Sequence, residues 1–254
     1  MGVGRITQGI LTDRALNDLQ DQLSRILDLQ IQLSTGQRVN RPSDDPLSTL
    51  RAVRARTEIG KNDQFLANIS NTRPFVRETE TALTQSLDFT RRAYELALQG
   101  ASGTNAQEEL DAIAQEVDQV LEGVLRLANS QSGNRFLFGG TRTSEEPFTA
   151  TRNANGEITA VTYIGNDERI GLQIDDLNNV AVNVTGEEAF DVTFPGTVDV
   201  FQALVTLRDD LRAGDQAALQ NRIGELLAAQ DQLLFNQSRL GALDNRLDAE
   251  IENI

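Results

Sequence analysis

Apolar residues recur along this chain with two different periods. From Leu16 they fall at Leu16, Leu19, Leu23, Ile26 and Leu33, with Leu27 and Ile31 widening the stripe, a 3-4 spacing that places them on one face of a helix. The pattern predicts a helix over about residues 10–35 that stops near Gly36, and Pro42 and Pro46 bracket a loop from which a second helix starts at about Leu47. A third helix follows a capping box of Asn105 with Glu108, because Leu110, Ile113, Val117, Val120, Val124 and Leu127 alternate 3 and 4 without a miss. A last helix carries Leu219, Ile223, Leu226, Leu233, Leu240, Leu247, Ile251 and Ile254 in one frame to the final residue. At 1.5 Å per residue its roughly 39 residues make a rod of about 58 Å, so the expected architecture is elongated.

Between the helices the period changes to two. Ile170, Leu172 and Ile174 alternate, as do Val180, Val182 and Val184, and Asn155-Gly156 flanked by extended segments predicts a hairpin with a type I′ turn. The expected fold is therefore mainly α with an inserted small β domain, an antiparallel helical rod carrying a β-rich head. Its divisions are an N-terminal helix over 1–40, an outgoing rod over 41–140, a β-rich head over 141–199 and a returning rod over 200–254.

Composition sharpens that division. Residues 141–199 carry a net charge of −8 out of −15 for the whole chain, and Phe136 to Phe201 holds seven of the twelve aromatics, as a small compact core needs. There is no His and no Cys, which leaves no imidazole base, no thiolate and no soft metal ligand, and Lys61 is the sole lysine. Neither an enzyme nor a cofactor or metal is expected. A pI near 4.4 disfavours phosphate backbones and anionic lipid alike, so neither nucleic acid nor a membrane surface is expected as a partner. No apolar run of signal-peptide length follows Met1, so any export is expected to proceed without a cleaved signal.

Several features have plain structural explanations. Asp44-Asp45 and Glu108-Glu109 flank helix starts, where amide dipoles favour carboxylates, and Asp175-Asp176 and Glu187-Glu188 lack the spacing of a Ca²⁺ loop and are expected to be solvated surface. Gln230, Gln237 and Asp244 recur every seven residues inside the apolar frame of the last helix. Either the column lies at the edge of the stripe and faces water, or it fixes register or partner choice as a polar seam residue does.

Two motifs at opposite ends carry a resemblance. Ser34-Thr-Gly-Gln-Arg-Val-Asn-Arg-Pro-Ser-Asp-Asp-Pro46 resembles the segment after the first helix of the bacterial flagellin superfamily, and Gln237-Ser-Arg-Leu-Gly-Ala-Leu-Asp-Asn-Arg-Leu247 resembles its returning helix. Leu98 to Asn105 matches the turn before the third helix, so the likeness covers roughly 5–140 and 200–254. Within the superfamily, Asn134-Arg-Phe-Leu-Phe-Gly-Gly-Thr141 and Tyr163-Ile-Gly-Asn-Asp167 are similar to the proteins that join hook to filament rather than to flagellin itself.

The resemblance implies a secreted structural subunit that passes through the flagellar type III apparatus with an export chaperone. It would assemble with copies of itself into a ring between a neighbouring hook-associated junction protein and flagellin, on the extracellular flagellum. Flagellin is the alternative, and a secreted coiled-coil adhesin or effector the next. By resemblance, subunit packing falls to Arg38, Asn40, Asp44, Asp45, Arg239, Leu240, Gly241, Asn245 and Arg246. The N-terminal assembly stripe is Leu16, Leu19, Leu23, Ile26 and Leu33. In that family the C-terminal rod runs several tens of residues past the point matching Ile254 and packs on the first helix, which leaves the stripe here awaiting a partner.

Overall fold

A computed structural model describes residues 3–43, 45–190 and 198–254, without the side chains of 3–8. The elements run α1 (Val3–Thr35), α2 (Pro46–Gly100), α3 (Gln107–Ala128), β1 (Gln131–Ser132), β2 (Arg135–Phe136), β3 (Phe148–Arg152), β4 (Ile158–Tyr163), β5 (Gly171–Gln173), β6 (Asn179–Ala181), α4 (Gly186–Phe190), α5 (Val200–Ala213) and α6 (Gln216–Asn253). They form two compact units, residues 1–61 and 62–254. The fold is mainly α with small β hairpins, as the periodicities predict.

The helix ends follow from local chemistry. Gly36 takes a φ of +64°, which only glycine adopts without strain, and closes α1. Asp45 caps α2 by accepting the Ser48 amide at 3.0 Å, and Pro46 sits in the first helical position, where a missing N–H costs nothing. At α3 Asn105 and Glu108 do not form a capping box; one residue later only its return half is made, since Ala106 has no side-chain acceptor. The Ala106 amide donates to Glu109 Oε2 at 3.0 Å, while Asn105 turns back and donates from Nδ2 to the Gln99 carbonyl at 2.6 Å, closing the end of α2. A short polar side chain between two helices can serve either end, and sequence spacing does not say which. The returning segment is two helices, divided by Gly214 at φ +66°, with Asp199 and Asp215 capping α5 and α6.

Within residues 62–254, α6 lies antiparallel to α2: Gln216 reaches Gly100, Gln230 reaches Thr90 and Gln237 reaches Thr84. α3 and α5 pack antiparallel, with Gln107 bonded to the Arg212 carbonyl and Asp118 to Arg208. Their apolar stripes meet in one continuous core that includes Leu83, Leu96, Val117, Leu121, Leu204, Leu211, Leu226 and Leu233, and extends into the β-rich segment through Phe138, Phe148, Ile158 and Phe190.

That segment is three two-stranded antiparallel hairpins. Phe138, Phe148, Phe190 and Phe201 pack mutually at 5.2–5.6 Å between ring centres, with Tyr163 at 5.1 Å from Phe148. The hairpin β3–β4 is present, but its turn is not type I′. No non-glycine residue has positive φ among the described residues, and the turn runs from Asn153 to Gly156, closed by the Gly156 amide on the Asn153 carbonyl at 3.0 Å, with Gly156 at φ +86°. It is a turn followed by a left-handed glycine, with a register shift between Thr151 and Arg152 absorbing the extra residue.

The motif Asn134–Thr141 at the entry to the segment is stitched to Tyr163–Asp167 within it. The Tyr163 hydroxyl lies 3.0 Å from the Phe138 carbonyl and 2.7 Å from the Asn166 carbonyl, and Asn166 Oδ1 accepts the Thr141 amide at 2.8 Å. Gly140, at φ +69°, lies so close to Asn166 that a Cβ there would fall 2.1 Å from its carbonyl oxygen. Burial pushes the Tyr163 phenol up to about 12.

Candidate functional site

The sequence-predicted residues fall into three places. The first is the face of α1, where Leu16, Leu19, Leu23, Ile26 and Leu33 are between 53% and 83% exposed; Leu11, Leu27 and Leu29 are exposed at its edges and Ile10 on the opposite side. Burying such side chains is worth roughly 1.5–3 kcal/mol each, so a two-sided assembly can recover several kcal/mol along this helix.

The second place is the loop between α1 and α2. Arg38 Nη2 is 3.4 Å from Asp45 Oδ2 and 3.5 Å from Ser48 Oγ, and Ser48 Oγ donates to Asp45 at 2.5 Å. The Ser48 hydroxyl and amide hold the Asp45 carboxyl below its ordinary value. Asn40 Nδ2 donates to the Gln37 carbonyl at 2.9 Å. Arg38, Asn40 and Asp45 thus share one small hydrogen-bonded loop, beside a cleft of about 510 Å³ that Asp28, Ile31 and Arg41 also line. Asp44 lies outside the described residues.

The third place is α6. Arg239 donates to Glu188 at 2.9 Å and Leu240 is buried in the core, while Gly241 is half-buried and Asn245 and Arg246 are exposed. Glu188 also pairs with Arg169 and its side chain is 15% exposed, so it is a clasp between α4, α6 and the segment before β5 rather than the solvated surface expected of Glu187-Glu188. Asp175 accepts the Leu177 and Asn178 amides and forms the β5–β6 turn. Among the described residues no three His, Cys, Asp or Glu gather as metal ligands.

The seven-residue column of α6 faces α2. Gln230 Nε2 donates to the Thr90 carbonyl at 3.4 Å, Gln237 Nε2 to Thr84 Oγ1 at 2.8 Å, and Asp244 accepts from Arg73 Nε at 2.8 Å and Arg77 Nη2 at 3.2 Å. Asp248 also meets Arg73. Of the two alternatives left open by the sequence, the half-buried column faces the partner helix: Gln237 with Thr84 and Asp244 with Arg73 and Arg77 pair specific side chains across the seam, while Gln230 meets a main-chain carbonyl, which any turn of α2 offers. Arg73, chiefly through its hydrogen bond, holds the Asp244 carboxyl below its ordinary value.

One group escaped the sequence pattern altogether. Arg208 is 2% exposed and donates to Asp118 at 3.0 Å and to the Ile158 carbonyl at 2.6 Å, while Arg212 joins Asp118 at 2.8 Å and Glu157 at 2.7 Å. The network ties α3 and α5 to the strand β4. An arginine four residues after Leu204 and three before Leu211, inside an apolar stripe, was the available signal.

Comparison with known proteins places the chain beside flagellar components. Residues 6–143 match the family model described as the bacterial flagellin N-terminal helical region. Flagellar hook-associated protein 3 of Escherichia coli (strain K12) is 29% identical over 161 residues, 63% of this chain and 48% of that protein. The chain spans about half the length of the curated relatives it matches. Among solved structures, a flagellar hook-associated protein of Vibrio parahaemolyticus superposes with a TM-score of 0.71 at 19% identity, covering 84% of this chain and 93% of that one. The flagellar junction protein FlgL from Legionella pneumophila gives 0.68 at 15% identity, covering 82% and 96%.

Proposed function

Because this chain belongs to the bacterial flagellin family, we propose that it is a structural subunit of the flagellum, set in the junction between hook and filament, where it performs no reaction. The observation that carries the proposal is the exposed apolar face of α1. A helix of this length is only marginally stable in water on its own, and a stripe of leucines and isoleucines without cover makes physical sense in a protein whose working form is an assembly. The resemblance to hook-associated protein 3 supports the junction over the filament itself.

In this proposal the subunit is exported through the flagellar type III apparatus with a chaperone, and copies assemble side by side into a ring. The ring contacts a second junction protein on one side and flagellin on the other. The α1 stripe buries against neighbouring helices. Arg38, Asn40 and Asp45 shape the loop at the base of α2, and Arg239, Asn245 and Arg246 offer polar packing along α6, with Gly241 between them and Leu240 supporting that run from inside the core.

Electron microscopy of cells lacking this chain tests it. Hooks without filaments, with flagellin shed into the medium, are the expected result. Cells that keep full filaments would refute the junction assignment, and cells that lose all flagellin while keeping the junction would point to flagellin instead.

A further inference from the structure

Asn155-Gly156 is the only Asn-Gly pair in the chain, and the turn it occupies is not the one the pair usually builds. Asn155 is exposed at the tip of the β3–β4 hairpin, and Gly156 has no side chain and open space where a Cβ would lie, so no side chain crowds the approach of the Asn155 amide to the next residue. These are the conditions under which an asparagine side chain is attacked by the following amide, a known source of asparagine lability. We propose that Asn155 is a site of spontaneous deamidation and that Asn153 sets its rate.

The chemistry needs only water. The Gly156 nitrogen adds to Asn155 Cγ, the Cγ–NH₂ bond breaks, and the amide proton leaves with the departing ammonia, which gives a five-membered succinimide. Water then opens the ring. Cleavage of the bond from Cγ to the Gly156 nitrogen leaves aspartate, and cleavage of the bond from the Asn155 main-chain carbonyl to that nitrogen leaves isoaspartate with the backbone running through the side chain. Overall one water is consumed and one ammonia released.

The brake lies in the hydrogen bonds that Asn153 supplies. The Gly156 N–H donates to the Asn153 carbonyl at 3.0 Å, which stabilises the protonated, non-nucleophilic amide. Asn153 Oδ1 accepts from the Asn155 amide at 2.9 Å and the Glu157 amide at 3.0 Å, and its Nδ2 donates to Glu157 at 2.7 Å, so one side chain fixes both ends of the turn. Turning Asn155 toward its neighbour's nitrogen requires that cage to loosen. The consequence reaches inward, because Glu157 is bonded to Arg212 and through it to Asp118. A β-linked residue lengthens the turn by one backbone carbon and adds a charge beside Glu157.

The test is mass spectrometry of the full chain aged in mildly alkaline buffer. Trypsin releases residues 153–169, which contain Asn153, Asn155 and Asn166 together, and fragmentation locates the mass gain of replacing NH₂ by OH. The gain is expected at Asn155, accompanied by isoaspartate detectable by enzymatic methylation, while Asn166, bonded through both side-chain atoms to Thr141, stays unchanged. Asn155→Gln should abolish it, and Asn153→Ala, which keeps the carbonyl but removes the side-chain cage, should accelerate it several-fold. Modification at Asn155 no faster than at Asn166 would overturn the site, and an Asn153→Ala rate equal to that of the unaltered chain would overturn the brake.

Discussion

Asp244 faces two guanidinium groups and stands where a heptad pattern leads one to look for an apolar residue. Truncating it would leave Arg73 half-buried with only Asp248 and would remove a bond made in a single helix alignment. Asp244→Ala is expected to cost about 2 kcal/mol in urea unfolding, the range for charge-assisted hydrogen bonds that are not fully desolvated. Its folded carboxyl titrates below the unfolded value of 3.8, so the unfolded chain binds the proton first on acidification. That contribution is complete above 3.8 and is lost as pH falls through the lower native value; Asp244→Ala should flatten this part of the acid-unfolding curve. Tyr163 behaves oppositely. Its phenol stays neutral until about pH 12 in the folded state against 10 unfolded, so stability is present below 10 and declines as pH rises from 10 to 12. In a Tyr94→Phe background, which leaves Tyr163 the only tyrosine, phenolate absorbance should appear near pH 12 and move toward 10 in denaturant.

At the scale of elements, α5 shows what a buried charge does for packing. Arg208 connects α3 to β4, and removing it strands Asp118 with Arg212 alone and takes a buried donor from the Ile158 carbonyl. Arg208→Met is expected to cost about 3 kcal/mol or more, whereas the pair Arg208→Met with Asp118→Leu should recover part of that loss, since replacing both partners avoids a lone buried charge. The double-mutant cycle measured by denaturant unfolding reads the coupling directly. The capping residue of α6 is a smaller term. Asp215 accepts two amides at 3.1 Å, and Asp215→Ala should lower stability by about 1 kcal/mol.

At the scale of the whole molecule, the exposure of α1 separates folding from assembly. Leu19 and Leu23 are 58% and 59% exposed, so Leu19→Asp with Leu23→Asp should leave the melting transition of the isolated chain within about 0.5 kcal/mol of its original stability. The same variant should abolish motility and the attachment of filaments to hooks. A loss of stability comparable to that of Arg208→Met would mean the stripe is needed to fold the chain rather than to join it to others.

Periodicity determined α1, α3, α6 and the β5–β6 strands, because a 3.6-residue stripe or a two-residue alternation can be buried in only one kind of secondary structure, whereas β3–β4 was read from its turn residues and the short α4, α5 and β1–β2 came only with the structure. Glycine and proline marked where α1 ends and α2 begins, since their backbone limits act within a residue or two. The α1 stripe was legible from its spacing and Asp45 from its place before a helix start, but Arg38, Asn40, Arg239, Asn245 and Arg246 were legible only by resemblance, since they carry no pattern that composition or spacing would single out. What required the tertiary structure were the choices among local equivalents: that Asn105 closes α2 while Ala106 opens α3, and that the Asn153 turn displaces the type I′ geometry its Asn-Gly pair favours in isolation. It also decided that Gln230, Gln237 and Asp244 face a partner helix instead of water, and that Glu188 and Arg208 are bonded inside the fold. At Asn105 and Asn153 the alternatives are nearly equal over a few residues and the deciding bonds are themselves local, within six residues, whereas for Gln230, Gln237, Asp244, Glu188 and Arg208 the deciding contacts come from segments tens to more than a hundred residues away.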